Sequence, residues 1–163
     1  MHDKIYNVLF ICTGNSARSI MAEVIMNHLG RERFHAYSAG SHPRGEIHPM
    51  TQEILSEQRY SLGELRSKSW EEFAQPGAPK MDFIFTVCDN AAGEACPAWP
   101  GQPITAHWGF ADPAVVVGDH DKQRKAFMTA QTQIATRIRL FLSLPIDKID
   151  RLSLQTRLRE LGQ

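Results

Sequence analysis

Cysteines stand at positions 12, 88 and 96 of the 163 residues, and the first opens the stretch Cys12-Thr13-Gly14-Asn15-Ser16-Ala17-Arg18-Ser19. A cysteine followed six positions later by an arginine is weak as a bare pattern. Three cysteines and twelve arginines in a chain of this length give roughly 0.2 such pairs by chance. The surroundings make it specific. Ile5 to Ile11 reads as a buried strand, and Met21, Val24, Ile25, His28 and Leu29 keep the period of an amphipathic helix that ends at Gly30. A loop between a strand and a helix, with Gly14 in it, can turn successive backbone N–H groups and the helix N-terminus onto one point, which makes a cradle for a tetrahedral oxyanion. Arg18 adds a planar fork that takes two oxygens at once. The same positive field is expected to depress the pKa of Cys12 and make it a nucleophile at neutral pH. Asn15 and Ser19 are small hydrogen-bonding residues suited to holding the thiolate and the loop. The competing reading is a buried cysteine at a strand end and a solvated arginine on a helix.

A nucleophile that attacks a tetrahedral oxyanion needs an acid for the leaving oxygen. Ala106-His107-Trp108-Gly109-Phe110-Ala111-Asp112-Pro113 supplies Asp112, with Pro113 holding its backbone extended. Trp108 and Phe110 are expected to desolvate the carboxyl and keep it protonated. Alone, this segment would read as a turn aspartate before a proline.

The elements that must position these residues are legible in outline. Phe34 to Ser38 is a strand, about Pro49 to Glu57 a helix, Met81 to Val87 a strand and Pro103 to His107 a fourth strand. Strands alternating with helices predict an α/β fold with a parallel sheet covered on both faces and ligands at the carboxyl ends of its strands. After Asp119-His120-Asp121, which offers capping oxygens, Phe127, Ala130, Ile134, Ile138 and Phe141 recur at helical spacing until Pro145. Leu154, Leu158 and Leu161 form a further stripe. Residues 1–144 are expected to form one domain, with 145–163 an appended helix packed on it. The 18 basic and 18 acidic side chains cancel, which excludes a strongly basic nucleic-acid binder. No apolar run approaches the roughly 20 residues of a membrane span, and Met1 to Asn7 lacks the pattern of a secretory signal, so a cytoplasmic protein is expected. An odd number of cysteines in a reducing compartment points to fillers, metal ligands or reactive thiols, not a disulfide framework.

Val8-Leu9-Phe10-Ile11-Cys12-Thr13-Gly14-Asn15-Ser16-Ala17-Arg18-Ser19, with Tyr37-Ser38-Ala39-Gly40 and Asp112-Pro113, resembles the low-molecular-weight protein tyrosine phosphatase superfamily over about residues 5 to 144. The resemblance implies a three-layer sandwich around a four-stranded parallel sheet in the order 2-1-3-4. Thr86-Val87-Cys88, Cys96-Pro97 and His107-Trp108-Gly109-Phe110 make the chain most similar to the arsenate reductases of that superfamily. Ala17 stands where the phosphatase branch usually has a second cysteine. Ala114 and Val115 stand where it has the aromatic residues that grip a phosphotyrosine ring.

The resemblance implies reduction of arsenate to arsenite. Residues Thr13 to Ser19 would bind the anion, Cys12 attack arsenic, and Asp112 protonate the departing oxygen. Two electrons require a second thiol. Strands 1 and 3 of the expected sheet are neighbours about 4.8 Å apart, within reach of a Cys12–Cys88 disulfide after modest loop movement. Cys96 would then attack Cys88 and carry the disulfide outward. A helical 89–95 would hold Cys88 and Cys96 too far apart, so that small-residue segment is expected to refold in turnover. No tightly bound cofactor is implied. The implied partner is an external dithiol reductant, thioredoxin, with glutaredoxin and glutathione as the second possibility. Some members of the superfamily hold a potassium ion behind the anion loop. Asn15, Glu23 and Ser38 match those positions, while Ser69 stands in place of the usual aspartate, making any cation site here weak. Three other readings are a phosphatase with incidental cysteines, zinc held by Cys88, Cys96 and His107, and an oxyanion sensor without catalysis.

Overall fold

A strand that is apolar on both faces must lie inside a sheet with cover on both sides. Tyr6–Cys12 (β1) is such a strand, buried from Val8 to Cys12, in the computed structural model, which describes residues 4–88, 99 and 101–162. It pairs in parallel with Phe34–Gly40 (β2) on one side and Phe83–Thr86 (β3) on the other, and β3 pairs with Ile104–His107 (β4). The order β2-β1-β3-β4 is the one the family resemblance implies. All four strands differ from the sequence reading at one end or both, β1 by a shift of one residue, β4 by a start one residue later and β3 by an end one residue earlier as well as a later start. β2 continues through Ala39 to Gly40, which lies opposite Cys12. β3 starts later, because the Asp82 carboxylate accepts hydrogen bonds from Asn7 N and Lys4 Nζ, both at 2.8 Å, and so closes off the strand's start.

The register puts Val8, Phe10, Phe34, Phe83 and Phe85 on one face, and aromatic packing fills it. Phe141 lies 5.2 Å from Phe34, 5.2 Å from Phe83 and 5.4 Å from Phe85 between ring centroids, and Trp108 stacks on Phe85 at 3.8 Å. Arg18–Leu29 (α1) packs against this side of the sheet with Met21, Ala22, Ile25 and Met26. Its Ile20 and Val24 join Leu55 of Pro49–Glu57 (α2) in a second, smaller cluster. Phe141 belongs to the long helix His120–Leu142 (α3), capped by Asp119, which accepts from Lys122 N at 3.0 Å. The five apolar residues read from the sequence are all buried, together with Gln131, whose amide exchanges two hydrogen bonds with that of Gln58. On the opposite face, Tyr37 meets Phe73 of the 3-10 turn Trp70–Phe73, and Trp70 meets Trp99 edge-on.

The final helix, Arg151–Leu161 (α4), lies against β4. Leu154 and Leu158 are buried, and the Leu158 carbonyl accepts the Trp108 indole N–H at 3.0 Å. Gly162 approaches the His107 carbonyl so closely that no side chain fits there. None of the described helices is long and apolar enough to cross a membrane. Because all four strands run the same way, Cys12, Gly40, Thr86 and His107 end at a single edge of the sheet.

Leu158→Ala is expected to lower the unfolding free energy by about 3 kcal/mol, the usual cost of emptying a core leucine site. Leu152→Ala, on the exposed side of the same helix, is expected to stay within about 0.5 kcal/mol of the parent. Urea denaturation of both variants checks this, and equal effects would show that α4 is not part of the cooperative core.

Candidate functional site

Residues 13–17 turn the chain from β1 into α1, and the orientation of their peptide groups decides what the turn can bind. The Thr13 carbonyl accepts from His42 N at 2.9 Å. The Gly14 carbonyl accepts from Arg44 N at 3.0 Å and Ser67 Oγ at 3.1 Å. The Ser16 carbonyl accepts from His48 N at 3.0 Å and Thr51 Oγ1 at 3.1 Å. In a planar trans peptide the carbonyl and the following N–H point opposite ways. Holding these three carbonyls outward therefore turns the N–H groups of Gly14, Asn15 and Ala17 inward. Asn15 adopts the left-handed conformation the turn requires, with φ of 46°. Its buried amide is fixed at both ends, donating to Ser19 Oγ at 2.7 Å and accepting from Lys68 N at 2.9 Å. A Cβ on Gly40 would lie 2.5 Å from the Thr13 carbonyl oxygen, so only glycine lets β2 approach the loop this closely.

The loop encloses a cavity of about 190 Å³ lined by residues 12–18 with His42, Arg44, Asp112 and Ala114. This is smaller than the roughly 300 Å³ lower bound of pockets that engulf drug-sized ligands. A tetrahedral oxyanion suits it, and any bulky substituent would have to lie outside. A cavity of about 430 Å³ beside His28, Tyr60 and Met128 is larger but is lined by no cysteine. α1 begins at the small cavity with no side-chain cap on Ala17 and no acidic residue in its first turn, so its N-terminal N–H groups remain for an anion to cap. Arg18 is 13% exposed along its side chain. Its Nη1 donates to the Phe110 carbonyl at 2.8 Å and its Nη2 lies 3.4 Å from Asp112 Oδ2, which fixes the fork beside the loop. The guanidinium of Arg44 lies over Gly14 and adds a second cation at the mouth.

Cys12 and Cys88 are both buried and both reduced. Thr13 N donates to Cys88 Sγ at 3.2 Å, and Thr13 Oγ1 lies 3.5 Å from the same sulfur. The expectation of a depressed Cys12 pKa is not met in this arrangement. The hydrogen-bonded Cys88 thiol, and then burial, push Cys12 far above its ordinary range, against the opposing pull of Arg18 and the Thr13 N–H. Two sulfurs this close resist ionising together, as neighbouring acidic groups do.

Asp112 lies in the cavity wall, where its Oδ1 accepts from Ala114 N at 2.9 Å and caps the 3-10 turn Pro113–Val115. Its carboxylate is 30% exposed and pairs with Arg18. The expected desolvation by Trp108 does not occur, because that ring turns into the core against Phe85 and Leu158. Cys96, the Cys96-Pro97 motif and the 89–95 segment lie outside the described residues. Among the described residues, no group of three or more His, Cys, Asp or Glu side chains is arranged to hold a metal ion. His107 is engaged on the sheet, its Nδ1 2.8 Å from Thr86 Oγ1. Sequence reasoning missed His42, Arg44 and Lys68. The first two follow β2 at the same carboxyl edge as Cys12, and that position was the available signal.

The low molecular weight phosphotyrosine protein phosphatase family model matches residues 7–152. An arsenate reductase of Halalkalibacterium halodurans is 33% identical over 134 residues, covering 82% of this chain and 93% of that protein. One from Bacillus subtilis is 30% identical over 141 residues, covering 86% and 96%. Among solved structures, the thioredoxin-dependent arsenate reductase Cg_ArsC1' of Corynebacterium glutamicum superimposes with a TM-score of 0.60 at 26% identity, over 87% of this chain and 62% of that one. An arsenate reductase in a phosphate-binding state gives 0.64 at 26% identity, over 90% and 100%. With the Cys12 to Arg18 loop and the 2-1-3-4 sheet, these matches show that the chain belongs to the low molecular weight phosphotyrosine protein phosphatase family.

Proposed function

We propose that the protein reduces arsenate to arsenite, and the observation that carries this reading is the pairing of a second buried thiol, Cys88, with Cys12 inside an oxyanion cradle. The inward N–H groups and the Arg18 fork hold arsenate. The Cys12 sulfur attacks arsenic, and the thiol proton leaves with the arsenate hydroxyl as water, Asp112 handing that proton to the departing oxygen. The sulfur can thus keep its proton until attack, which accords with the raised Cys12 pKa. Cys88 then attacks the Cys12 sulfur. The arsenic–sulfur electron pair stays on arsenic, which departs as arsenite, and two thiols have become one disulfide. Thr13 donates to the Cys88 sulfur and favours negative charge there, as an attacking thiolate needs. In the finer reading Cys96 attacks Cys88, frees Cys12 and presents a Cys88–Cys96 disulfide to an external dithiol. The name of the Corynebacterium neighbour supports thioredoxin as that reductant. Such thiols operate in a reducing compartment, the cytoplasm.

Hydrolysis of phosphomonoesters is the second reading, favoured by the completeness of Cys12, Arg18 and Asp112 without any further thiol. Ala114 at the cavity wall and the exposed Val115 offer no ring platform for an aryl phosphate.

Cys88→Ser is expected to abolish arsenate-dependent NADPH oxidation in an assay coupled through thioredoxin and its reductase, while leaving hydrolysis of a small aryl phosphate by Cys12 intact. Undiminished arsenate turnover would overturn the reductase reading. Turnover supported only by glutaredoxin and glutathione would replace the reductant. Arg18→Lys is expected to slow both reactions by about 10²-fold or more, since a point charge cannot replace the fork. Because Cys88 raises the Cys12 pKa, Cys88→Ala is expected to move the midpoint of Cys12 alkylation by iodoacetamide to lower pH. Mass spectrometry of the Cys12 peptide across a pH series measures it, and an unmoved midpoint would show that the thiols are not coupled.

A further inference from the structure

Lys68 is the one charged residue among those described that is buried, at 8% exposure. Burying an ammonium costs several kcal/mol unless partners compensate, and its partners are specific. Nζ donates to the Arg66 carbonyl at 3.0 Å and lies 3.8 Å from Glu23 Oε1. That carboxylate oxygen also accepts from the buried Ser38 hydroxyl. The Lys68 main chain meanwhile grips the anion loop and its neighbour, with N–H donating to Asn15 Oδ1 at 2.9 Å and the carbonyl accepting from Gly40 N at 2.8 Å.

Asn15, Glu23 and Ser38 are the residues that the family resemblance offers for a monovalent cation. They do not fit one here. The Asn15 oxygen already accepts from the Lys68 N–H, the Ser38 hydroxyl donates to Glu23, and Glu23 faces an ammonium supplied by the chain, whose charge would repel a cation held beside it. We propose that Lys68 is a positioning residue whose tethered ammonium takes the place of that cation behind the anion loop, so that anion binding needs no potassium. Burial pushes the Lys68 ammonium below its ordinary pKa and the Glu23 carboxyl above its own, the direction expected of a charge pair held out of water. A methionine of similar length would fill the same space without that cost, so packing alone does not account for the lysine. The inference concerns anion binding only and stands apart from arsenate reduction.

Inorganic phosphate is the probe, its affinity read from protection of Cys12 against iodoacetamide. The parent protein is expected to bind phosphate equally in sodium and potassium buffers of equal ionic strength. Lys68→Ala, which opens space beside Glu23, is expected to bind phosphate about tenfold more weakly in sodium and to recover in potassium. Lys68→Arg is expected to bind as the parent does in either salt, since it restores the charge. A merely structural lysine would give thermal midpoints that fall in Lys68→Ala with no recovery in potassium. Tighter phosphate binding by the parent in potassium would overturn the proposal, as would unchanged affinity in a folded Lys68→Ala. If Lys68→Ala does not fold, the sodium and potassium comparison on the parent decides alone.

Discussion

Peptide planarity leaves the turn between β1 and α1 few ways to present itself to the cavity. Either its carbonyls face inward and repel an anion, or its N–H groups do and attract one. Residues 42–51 and 67–68 decide the matter by taking the Thr13, Gly14 and Ser16 carbonyls and the Asn15 side chain from behind. Each of those bonds to a half-buried carbonyl contributes about 0.5–1.5 kcal/mol, and together they keep the cradle in shape whether or not an anion is present. Arg18 is likewise fixed before binding, by Phe110 and Asp112. Little ordering is left for the ligand to impose.

The parts that sequence reasoning reached are those governed by short-range pattern. The apolar β1 segment, the helical stripe from Phe127 to Phe141 and the glycine-containing turn at Cys12 all follow from residue types and local period. What escaped it depends on contacts between distant segments. Nothing local marks Lys68 as buried. It stands in the polar run Arg66-Ser67-Lys68-Ser69, and only the return of that segment onto Asn15 and Gly40 encloses it. Trp108 was misread for the same reason. It is close to Asp112 in sequence, but it comes directly after β4 ends at His107, and its indole turns into the aromatic core against Phe85 and Phe141. The Cys12 pKa departs from the sequence expectation because Arg18 is close in sequence while Cys88, which outweighs it, is brought in just beyond the end of β3.

The second sulfur bears on what the site is for. Phosphoryl transfer and arsenate reduction alike begin with attack by the Cys12 sulfur, so the raised Cys12 pKa bears on both equally. A disulfide-forming mechanism needs a second thiol as well. The first sulfur must become electrophilic once it carries arsenic, and the second must be the thiolate that attacks it. The Thr13 N–H directed at Cys88 fits the second requirement and does nothing for the first. The features that distinguish this loop from a plain phosphatase cradle are thus those a reductase uses.

Charge is distributed on the same local principle. The formal net charge of zero makes the protein as a whole no attractor of anions. At the cavity, however, Arg18 and Arg44 add to inward amides and an uncapped helix end, and Lys68 stands behind them, compensated by Glu23. Surface charges act through water and are screened within about 8 Å at physiological salt. Amides and a buried ammonium act at contact distance through a medium that screens them far less. Affinity built this way stays with the bound oxyanion at ordinary ionic strength, and neutrality elsewhere keeps polyanions from competing for the same surface.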